Sequence, residues 1–293
     1  TNNFGTVAIT GADVSIRDTN AIVLGTSTIS GTYLVTAGGA VTQSGTLQVT
    51  SDTTTISASG RDVTLNTTTN DFATIAITGA DVSIKDTNAI ILGASTISGA
   101  YAVTAGGNIT DSDTVTVGGN FAATTNANSG VIDLGTLAVD GTVALVTHNN
   151  GAATVVNDAG FDFATSNIGG DLTATAITGH ITDSGTLTVR GATEMTLGTT
   201  PTLTVTDVTS ASVDGDTLII LDSSVFTGGI TLNYSGELAL IVVDDVSSVD
   251  LDIGLATQVG FAGLTSGVDQ TNLFGNILGF ISGYQLNKEL KNV

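Results

Sequence analysis

The amino acids that this chain lacks exclude several kinds of protein. Its 293 residues include no cysteine, no tryptophan, one proline and one methionine, and only 4% are aromatic. Without cysteine, neither a disulfide framework nor a thiol nucleophile is available. The composition is still compatible with export, because a secreted protein can rely on packing and hydrogen bonding instead of disulfides.

Positive charge is equally scarce. There are 27 acidic residues and a formal net charge of −21, and the six basic residues are Arg17, Arg61, Lys85, Arg190, Lys288 and Lys291. Binding to phosphate backbones needs clustered Lys and Arg, so we predict no nucleic-acid partner. No run reaches the roughly 18 consecutive apolar residues of a membrane helix, so we predict no membrane insertion.

The residues that are abundant favour strands and turns. Hydrophobic residues make up 41% of the chain, which argues against disorder. Thr, Val and Ile favour the pleated surface of strands, whereas Gly, Asn, Asp and Ser favour tight turns. The composition therefore predicts an all-β protein with many short strands.

An internal repeat determines how these strands are organised. Residues 4–22 return almost unchanged as residues 72–90, an offset of 68. The match continues in 27–31 with 95–99 and in 41–49 with 109–117. A third copy appears at 181–189, at an offset of 72 from the second.

Within each repeat, apolar residues alternate in the manner of strands. We predict that Val7, Ile9, Val14, Ile16, Ile22 and their copies in the second repeat point inward, with equivalent residues in register along one axis. Small polar runs between the strands suit turns. A repeat of this length predicts about three coils of roughly 20 or more residues each, stacked in parallel as a β-solenoid.

Several short runs carry a resemblance to a known family. Residues 18–22, 36–39, 42–47 and 108–112 resemble the repeats of filamentous-haemagglutinin-type exoproteins, and the similarity covers roughly residues 1–200. The resemblance implies a right-handed parallel β-helix. It also implies export through a dedicated outer-membrane pore by two-partner secretion, and a location outside the cell or on the bacterial cell surface.

These observations predict three regions. Residues 1–200 form the repeat solenoid, with units near 3–70, 71–138 and 139–200, and residues 201–270 form a divergent continuation. Residues 271–293 carry apolar pairs at helical spacing followed by two lysines. We predict that this last segment is a short amphipathic helical cap, with docking on a neighbouring subunit as the alternative.

The sequence indicates no catalytic centre. A triad would depend on His148 or His180, and neither stands in a recognisable nucleophile context. Carboxylates recur in the repeats as the pairs Asp13 with Asp81, Asp18 with Asp86 and Asp111 with Asp183. Because a residue copied in successive repeats usually has a repeated structural role, we predict Asx-turn hydrogen bonding and solvation for them.

Metal binding is a further candidate. Asp244, Asp245, Asp250 and Asp252 place four carboxylates within nine residues, and calcium prefers oxygen ligands. The calcium-binding nonapeptide and the EF-hand loop are both missing from the sequence. We therefore predict no cofactor, with a calcium site as the alternative.

The sequence as a whole predicts an extracellular structural or adhesive rod and not an enzyme. It would be a segment of a large secreted surface exoprotein used in adhesion or biofilm matrix, with cell-surface or matrix receptors as partners. The alternative is a filament subunit that polymerises end to end with copies of itself. A polysaccharide-acting β-helix enzyme is a more distant alternative.

Overall fold

The computed structural model describes residues 2–199 and the later strands from Thr204–Ser210 to Phe261–Ala262, with side chains as far as residue 196. Contacts divide the chain into two units, Thr1–Val155 and Val156–Val293. The described residues contain strands and turns and no helix, so the all-β prediction is confirmed. The handedness of the coil stays a prediction.

The strands of the first unit are short and evenly distributed along the chain. They are β1 (Thr6–Val7), β2 (Thr10–Gly11), β3 (Val14–Asp18), β4 (Ile22–Leu24), β5 (Ser27–Ile29), β6 (Tyr33–Ala37), β7 (Val41–Gln43), β8 (Leu47–Ser57), β9 (Val63–Leu65), β10 (Asp71–Gly79), β11 (Val82–Asp86), β12 (Ile90–Leu92), β13 (Ser95–Ile97), β14 (Tyr101–Ala105), β15 (Ile109–Asp111), β16 (Val115–Val117), β17 (Phe121–Asn128), β18 (Ile132–Val139), β19 (Val143–His148) and β20 (Ala153–Asn157), the last of which ends in the second unit.

Every strand pair recorded in the first unit is parallel. One sheet runs in the order β1-β4-β7-β9-β11-β14-β17-β19, and the remaining strands pair in a second sheet. Because consecutive strands of one sheet are a full coil apart in sequence, the chain winds around a common core. This arrangement is the predicted parallel β-solenoid.

The core of this unit is a column of inward-facing side chains in register. In the first sheet the column runs through Ile22, Val41, Val63, Val82, Tyr101, Phe121 and Val143, all of which are buried. Successive members of the column are one coil apart in sequence, and their spacing agrees with the predicted coil length. Outward positions next to this column carry Thr, Ser or Ala in every strand but β4, where Val23 lies.

The predicted inward positions are confirmed with one difference at the first coil. Ile16 and Ile84 are 5% and 1% exposed, so both belong to the core. The other copies in the second repeat are buried as well, but Val7, Ile9 and Val14 are only half-buried. Within the described residues these three side chains are packed by the following coil on one side only, which leaves part of their surface in contact with solvent.

The predicted alignment of repeat-equivalent residues along the axis is wrong. Ile16 lies in the same column as Ile77, whereas Ile84, its copy in the second repeat, lies in the other sheet. The offset between copies is longer than the three full coils that lead from Ile22 to Val82. The excess places each copy on the neighbouring face of the solenoid.

Glycine allows the coils to approach closely at one corner. A Cβ atom at Gly38 would collide with the carbonyl oxygen of Thr19 in the preceding coil, and a Cβ atom at Gly106 would collide with that of Thr87 in the same way. Gly38 donates its backbone N–H to the carbonyl of Asp18 at 3.1 Å. A side chain at this position would separate the coils and weaken that bond.

The second unit has the same architecture. Its strands are β21 (Phe161–Phe163), β22 (Ser166–Ile168), β23 (Leu172–Thr178), β24 (Ile181–Asp183), β25 (Leu187–Val189), β26 (Thr193–Thr199), β27 (Thr204–Ser210), β28 (Thr217–Leu221), β29 (Thr231–Ser235), β30 (Leu238–Val243), β31 (Asp250–Leu255) and β32 (Phe261–Ala262). They pair in parallel in the orders β22-β25-β27-β29-β31 and β23-β26-β28-β30-β32, and β21 pairs with β24. The cap predicted at 271–293 lies outside the described residues.

Candidate functional site

The carboxylates of Asp13 and Asp81 bind the backbone of the following coil. Asp13 Oδ1 accepts hydrogen bonds from the backbone N–H and the hydroxyl of Thr32 at 2.9 and 3.1 Å. Asp81 Oδ1 accepts one from the N–H of Ala100 at 2.8 Å. These bonds reach a different coil, so the predicted local Asx turn is wrong for this pair. The hydrogen bonds from the backbone and hydroxyl of Thr32 also lower the pKa of Asp13 below its ordinary value.

The same contact occurs at two further corners. At one of them the acceptor is an asparagine, and the other lies in the second unit. Asn120 Oδ1 accepts from the N–H of Thr142 at 3.0 Å, and Asp171 Oδ1 accepts from the N–H of Ala192 at 2.8 Å. At all four corners a glycine precedes the donor, and a Cβ atom there would collide with the accepting side chain. The pair formed by the acceptor and the glycine is therefore a repeated device for stacking coils.

Asp18 and Asp86 form the predicted Asx turn and make one additional contact. Each accepts a hydrogen bond from the backbone N–H two residues later, at Asn20 and Asn88. The second carboxylate oxygen accepts from the N–H of Phe4 or Phe72, at 2.9 and 2.7 Å. Both carboxylates are buried, and each ties the turn after its own strand to the coil before it.

The environment of Asp86 changes its acidity. Burial raises the pKa of Asp86 from 3.8 to about 6, although the N–H groups of Phe72 and Asn88 oppose the rise by stabilising the carboxylate. The negative charge of Asp71 adds to the rise. Asp86 thus differs from an ordinary surface carboxylate in titrating near neutrality.

Asp111 and Asp183 occupy equivalent strand ends, in β15 and β24. The carboxylate of Asp111 accepts hydrogen bonds from the backbone N–H groups of Gly135 and Thr136 and from the hydroxyl of Thr136, at 2.8 to 2.9 Å. Those donors lie in the following coil. Asp111 therefore also joins adjacent coils, and the Asx turn predicted for it is replaced by this contact.

The two histidines lie at exposed positions. His148 ends β19 and is followed by a turn in which Asn149 adopts a φ of 53°. Its carbonyl accepts hydrogen bonds from the N–H groups of Ser129 and Gly151, at 3.1 and 3.0 Å. The carbonyl of His180 accepts from Phe161 at 2.7 Å. Both histidines thus contribute backbone groups to the stacking of coils.

Asn70 and Gln43 form an amide pair in the first unit that makes several further hydrogen bonds. Asn70 is fully buried, and its side chain pairs with that of Gln43 through two hydrogen bonds of 2.8 and 2.9 Å. Asn70 Oδ1 also accepts from the N–H of Leu47, and its Nδ2 lies 3.2 Å from the carbonyl oxygens of Leu65 and Lys85. One side chain thus connects three successive coils.

Sequence reasoning missed this pair, although the repeat contains a signal for it. Asn2 is the equivalent of Asn70 in the first repeat and makes the matching bonds. Its Nδ2 donates to the carbonyl of Arg17, and its carbonyl accepts from the N–H of Thr19. Asn70 likewise bonds to Lys85 and Thr87. An asparagine shared by two copies of one repeat therefore indicated a bond to the following coil.

Two tyrosine hydroxyls are buried in the core without a hydrogen bond of good geometry among the described residues. They belong to Tyr33 and Tyr101, which occupy equivalent positions in the first two repeats. Burial raises the pKa of Tyr33 to about 12, although the hydroxyl of Ser27 opposes the rise, and burial raises the pKa of Tyr101 well above its ordinary value. The ring of Tyr101 packs edge-on against that of Phe121, with 5.8 Å between the ring centroids. Both tyrosines fill the core.

A polar trough opens where three successive corners of the first unit stack. Its volume is about 480 Å³, and its lining consists of residues 19–21, 38–40 and 60–62. The middle corner contains Gly38 and Gly39, which have no side chains and form the floor. Asn20 and Arg61 belong to the outer corners, so the trough contains one of the six basic residues of the chain.

Metal ligands do not cluster in the part of the chain that the structure describes. Of the four carboxylates predicted as a calcium alternative, Asp244 and Asp245 lie outside the described residues. Asp250 and Asp252 lie on β31, whose backbone alone is described. The described residues contain no helix that is long and apolar enough to span a membrane.

The stacked parallel coils, the repeated corner contacts and the in-register core define a parallel β-solenoid repeat protein. The family described as Repeats of unknown function (DUF5649) matches residues 11–78, 79–147 and 150–209. The chain belongs to this family. No curated protein and no solved structure matches it.

We predict that Asn70→Asp destabilises the first unit. Aspartate cannot donate to the carbonyl oxygens of Leu65 and Lys85, and it places a charge where the side chain is fully buried. A cost of about 3 kcal/mol or more is expected, and the midpoint of thermal unfolding should fall by several degrees. Circular dichroism of the full chain measures the midpoint.

The matched control is Asn66→Asp in the same loop. Asn66 is exposed, and its Oδ1 only accepts a hydrogen bond from the hydroxyl of Ser83, which aspartate can also accept. The midpoint of this variant should stay within about a degree of the parent, as is usual for exposed substitutions. Equal losses in the two variants would contradict the assigned role of Asn70.

We predict that Asp86 makes stability depend on pH in an unusual direction. The pKa of Asp86 is about 6 in the folded protein and near 3.8 in the unfolded chain, so the folded state holds this proton more tightly. The contribution of Asp86 to the free energy of unfolding should therefore fall as the pH rises from about 4 to about 6, and then level off. After allowance for solvent screening, the change is on the order of 1 kcal/mol.

Urea unfolding of the parent and of Asp86→Asn at several values of pH between 4 and 7 isolates this contribution. The variant has no titrating group at this position, so the difference between the two proteins should change across that range. A difference that is constant from pH 4 to pH 7 would show that the acidity of Asp86 is ordinary.

Proposed function

We propose that this chain is an extracellular structural or adhesive segment of a large surface exoprotein. The observation that supports the proposal most directly is the use of its polar side chains. Two asparagines and five of the repeat-equivalent carboxylates are bonded to the backbone of an adjacent coil, namely Asn70, Asn120, Asp13, Asp18, Asp81, Asp86 and Asp111. Polar side chains that recur from repeat to repeat in this way hold a long, regular scaffold together, and we expect no catalysis from them.

Two further features are compatible with a location outside the cell. The chain contains no cysteine, so its stability does not depend on the redox state of its surroundings. In a solenoid each coil contacts chiefly its neighbours, so a chain that emerges from a pore in the unfolded state can fold coil by coil. The resemblance to filamentous-haemagglutinin-type repeats adds the expectation of export by two-partner secretion and of a role in adhesion or biofilm matrix.

Antibodies raised against the purified chain test the proposal on intact cells that produce it. We expect labelling at the cell surface, loss of the label after brief treatment with external protease, and several-fold weaker surface attachment after deletion of the gene. A cytoplasmic protein followed in the same cells should resist the protease, which controls for lysis.

Labelling that appears only after the cells are permeabilised would contradict the extracellular assignment. Unchanged attachment of the deletion strain, with surface labelling intact in the parent, would contradict the adhesive role and leave a structural one. Uniform filaments of the purified chain in negative-stain images would favour end-to-end self-assembly over a segment that displays or binds receptors.

A further inference from the structure

The trough in the first unit is open because its middle corner cannot carry side chains. A Cβ atom at Gly38 would collide with the carbonyl of Thr19, and one at Gly39 would collide with the backbone of Ala21. Packing of the coils thus requires a glycine pair here, and the two outer corners project beyond it. The gap between the outer corners spans two coil spacings, or about 10 Å.

The projecting side chains have polar groups free to bind a ligand. In the part of the chain that the structure describes, no hydrogen bond or ion pair engages the guanidinium of Arg61 or the side-chain amide of Asn20. Both residues are exposed. Asp62 adds a carboxylate to the same lining, and its Oδ1 accepts a hydrogen bond from the backbone N–H of Asp81 at 3.3 Å. Ala21 and Ala40 supply the only apolar side chains of the lining.

The arginine of the trough is specific to the first repeat. Gly130 occupies the position of the second repeat that corresponds to Arg61, because each donates its backbone N–H to the carbonyl of the residue three positions earlier, in the turn before the next strand. The corners of the second repeat retain Asn88 and the glycine pair Gly106 and Gly107, but they lack both the cation and the carboxylate, because Val131 stands where the first repeat has Asp62. A residue that departs from the repeat is not explained by the repeated stacking function.

We propose that this trough binds a sugar acid, meaning a sugar ring that carries one carboxylate. The guanidinium of Arg61 presents paired N–H donors that match a carboxylate, and the amide of Asn20 and the carboxylate of Asp62 suit hydroxyl groups. The volume of about 480 Å³ accommodates such a ring with room to spare.

The charge of the surroundings determines which anions fit. Asp62 lies in the lining and the chain carries a net charge of −21, so a dianion such as phosphate is repelled more strongly than a monoanion. The lining has no aromatic side chain, so an apolar ligand gains little by entering it. Binding in this trough does not depend on the extracellular function proposed above.

Titration of the isotope-labelled full chain with D-galacturonate, followed by amide chemical shifts, tests the proposal. We expect saturable shifts at Gly38, Gly39 and Arg61, with a dissociation constant in the millimolar range, and none at Gly106 and Gly107. Neutral D-galactose and inorganic phosphate should each bind at least about 5-fold more weakly.

Variants connect the binding to the named side chains. Arg61→Gln should weaken D-galacturonate binding at least about 10-fold, and Arg61→Lys should weaken it less because the charge remains without the paired donors. Arg17→Gln removes another exposed arginine of the same unit that lies outside the trough, and it should leave binding unchanged. Unchanged amide shifts elsewhere in the spectra confirm that each variant is folded.

Any of four results would overturn the proposal. Equal binding of D-galactose would show that the carboxylate is not recognised, and equal binding of phosphate would indicate a general anion site. Binding of D-galacturonate that Arg61→Gln leaves unchanged, or that Arg17→Gln weakens to the same extent, would show that the trough is not the site.

Discussion

Backbone hydrogen bonding between successive coils is the interaction on which the rest of this structure depends. Along one corner the N–H groups of Val41, Val63 and Val82 donate to carbonyl groups of the next coil at 2.8 to 3.0 Å. Such bonds require adjacent corners to approach closely, which explains the glycines at positions such as Gly38. Where a backbone N–H would lack a partner, a carboxylate or amide of the adjacent coil accepts its bond, as Asp81 does.

The secondary structure could be predicted because it follows from local patterns. Alternation of Val14 with Ile16 indicates a strand with one buried face, and the internal repeat indicates a solenoid. The placement of one repeat on the next could not be predicted, because it depends on how many residues each coil needs to close. In the first-sheet column the coil from Val41 to Val63 is longer than the coil from Ile22 to Val41, and the difference lies in corner segments that alternation does not measure.

In the candidate site, likewise, only the local contacts could be predicted from the sequence. Asp18 and Asp86 form a turn through residues two positions away, which a local pattern can indicate. Asp13, Asp111 and Asn70 bind groups in other coils, and their partners are known only once the coils are in register. Arg61 could not be predicted as a site residue, because an isolated exposed arginine carries no signal in the sequence. Only its position in the trough indicates a role.

Introduced cysteines test the central claim most directly, because the chain has none of its own. Thr42 and Thr64 are register partners on adjacent strands, at a spacing that a disulfide can bridge, so Thr42→Cys with Thr64→Cys should oxidise to an intramolecular disulfide in high yield. Thr110 is the repeat equivalent of Thr42 but lies in the other sheet, so Thr42→Cys with Thr110→Cys should keep two free thiols. Mass spectrometry after thiol alkylation measures both. Two free thiols in Thr42→Cys with Thr64→Cys would contradict the account, by showing that these residues are not partners on adjacent coils.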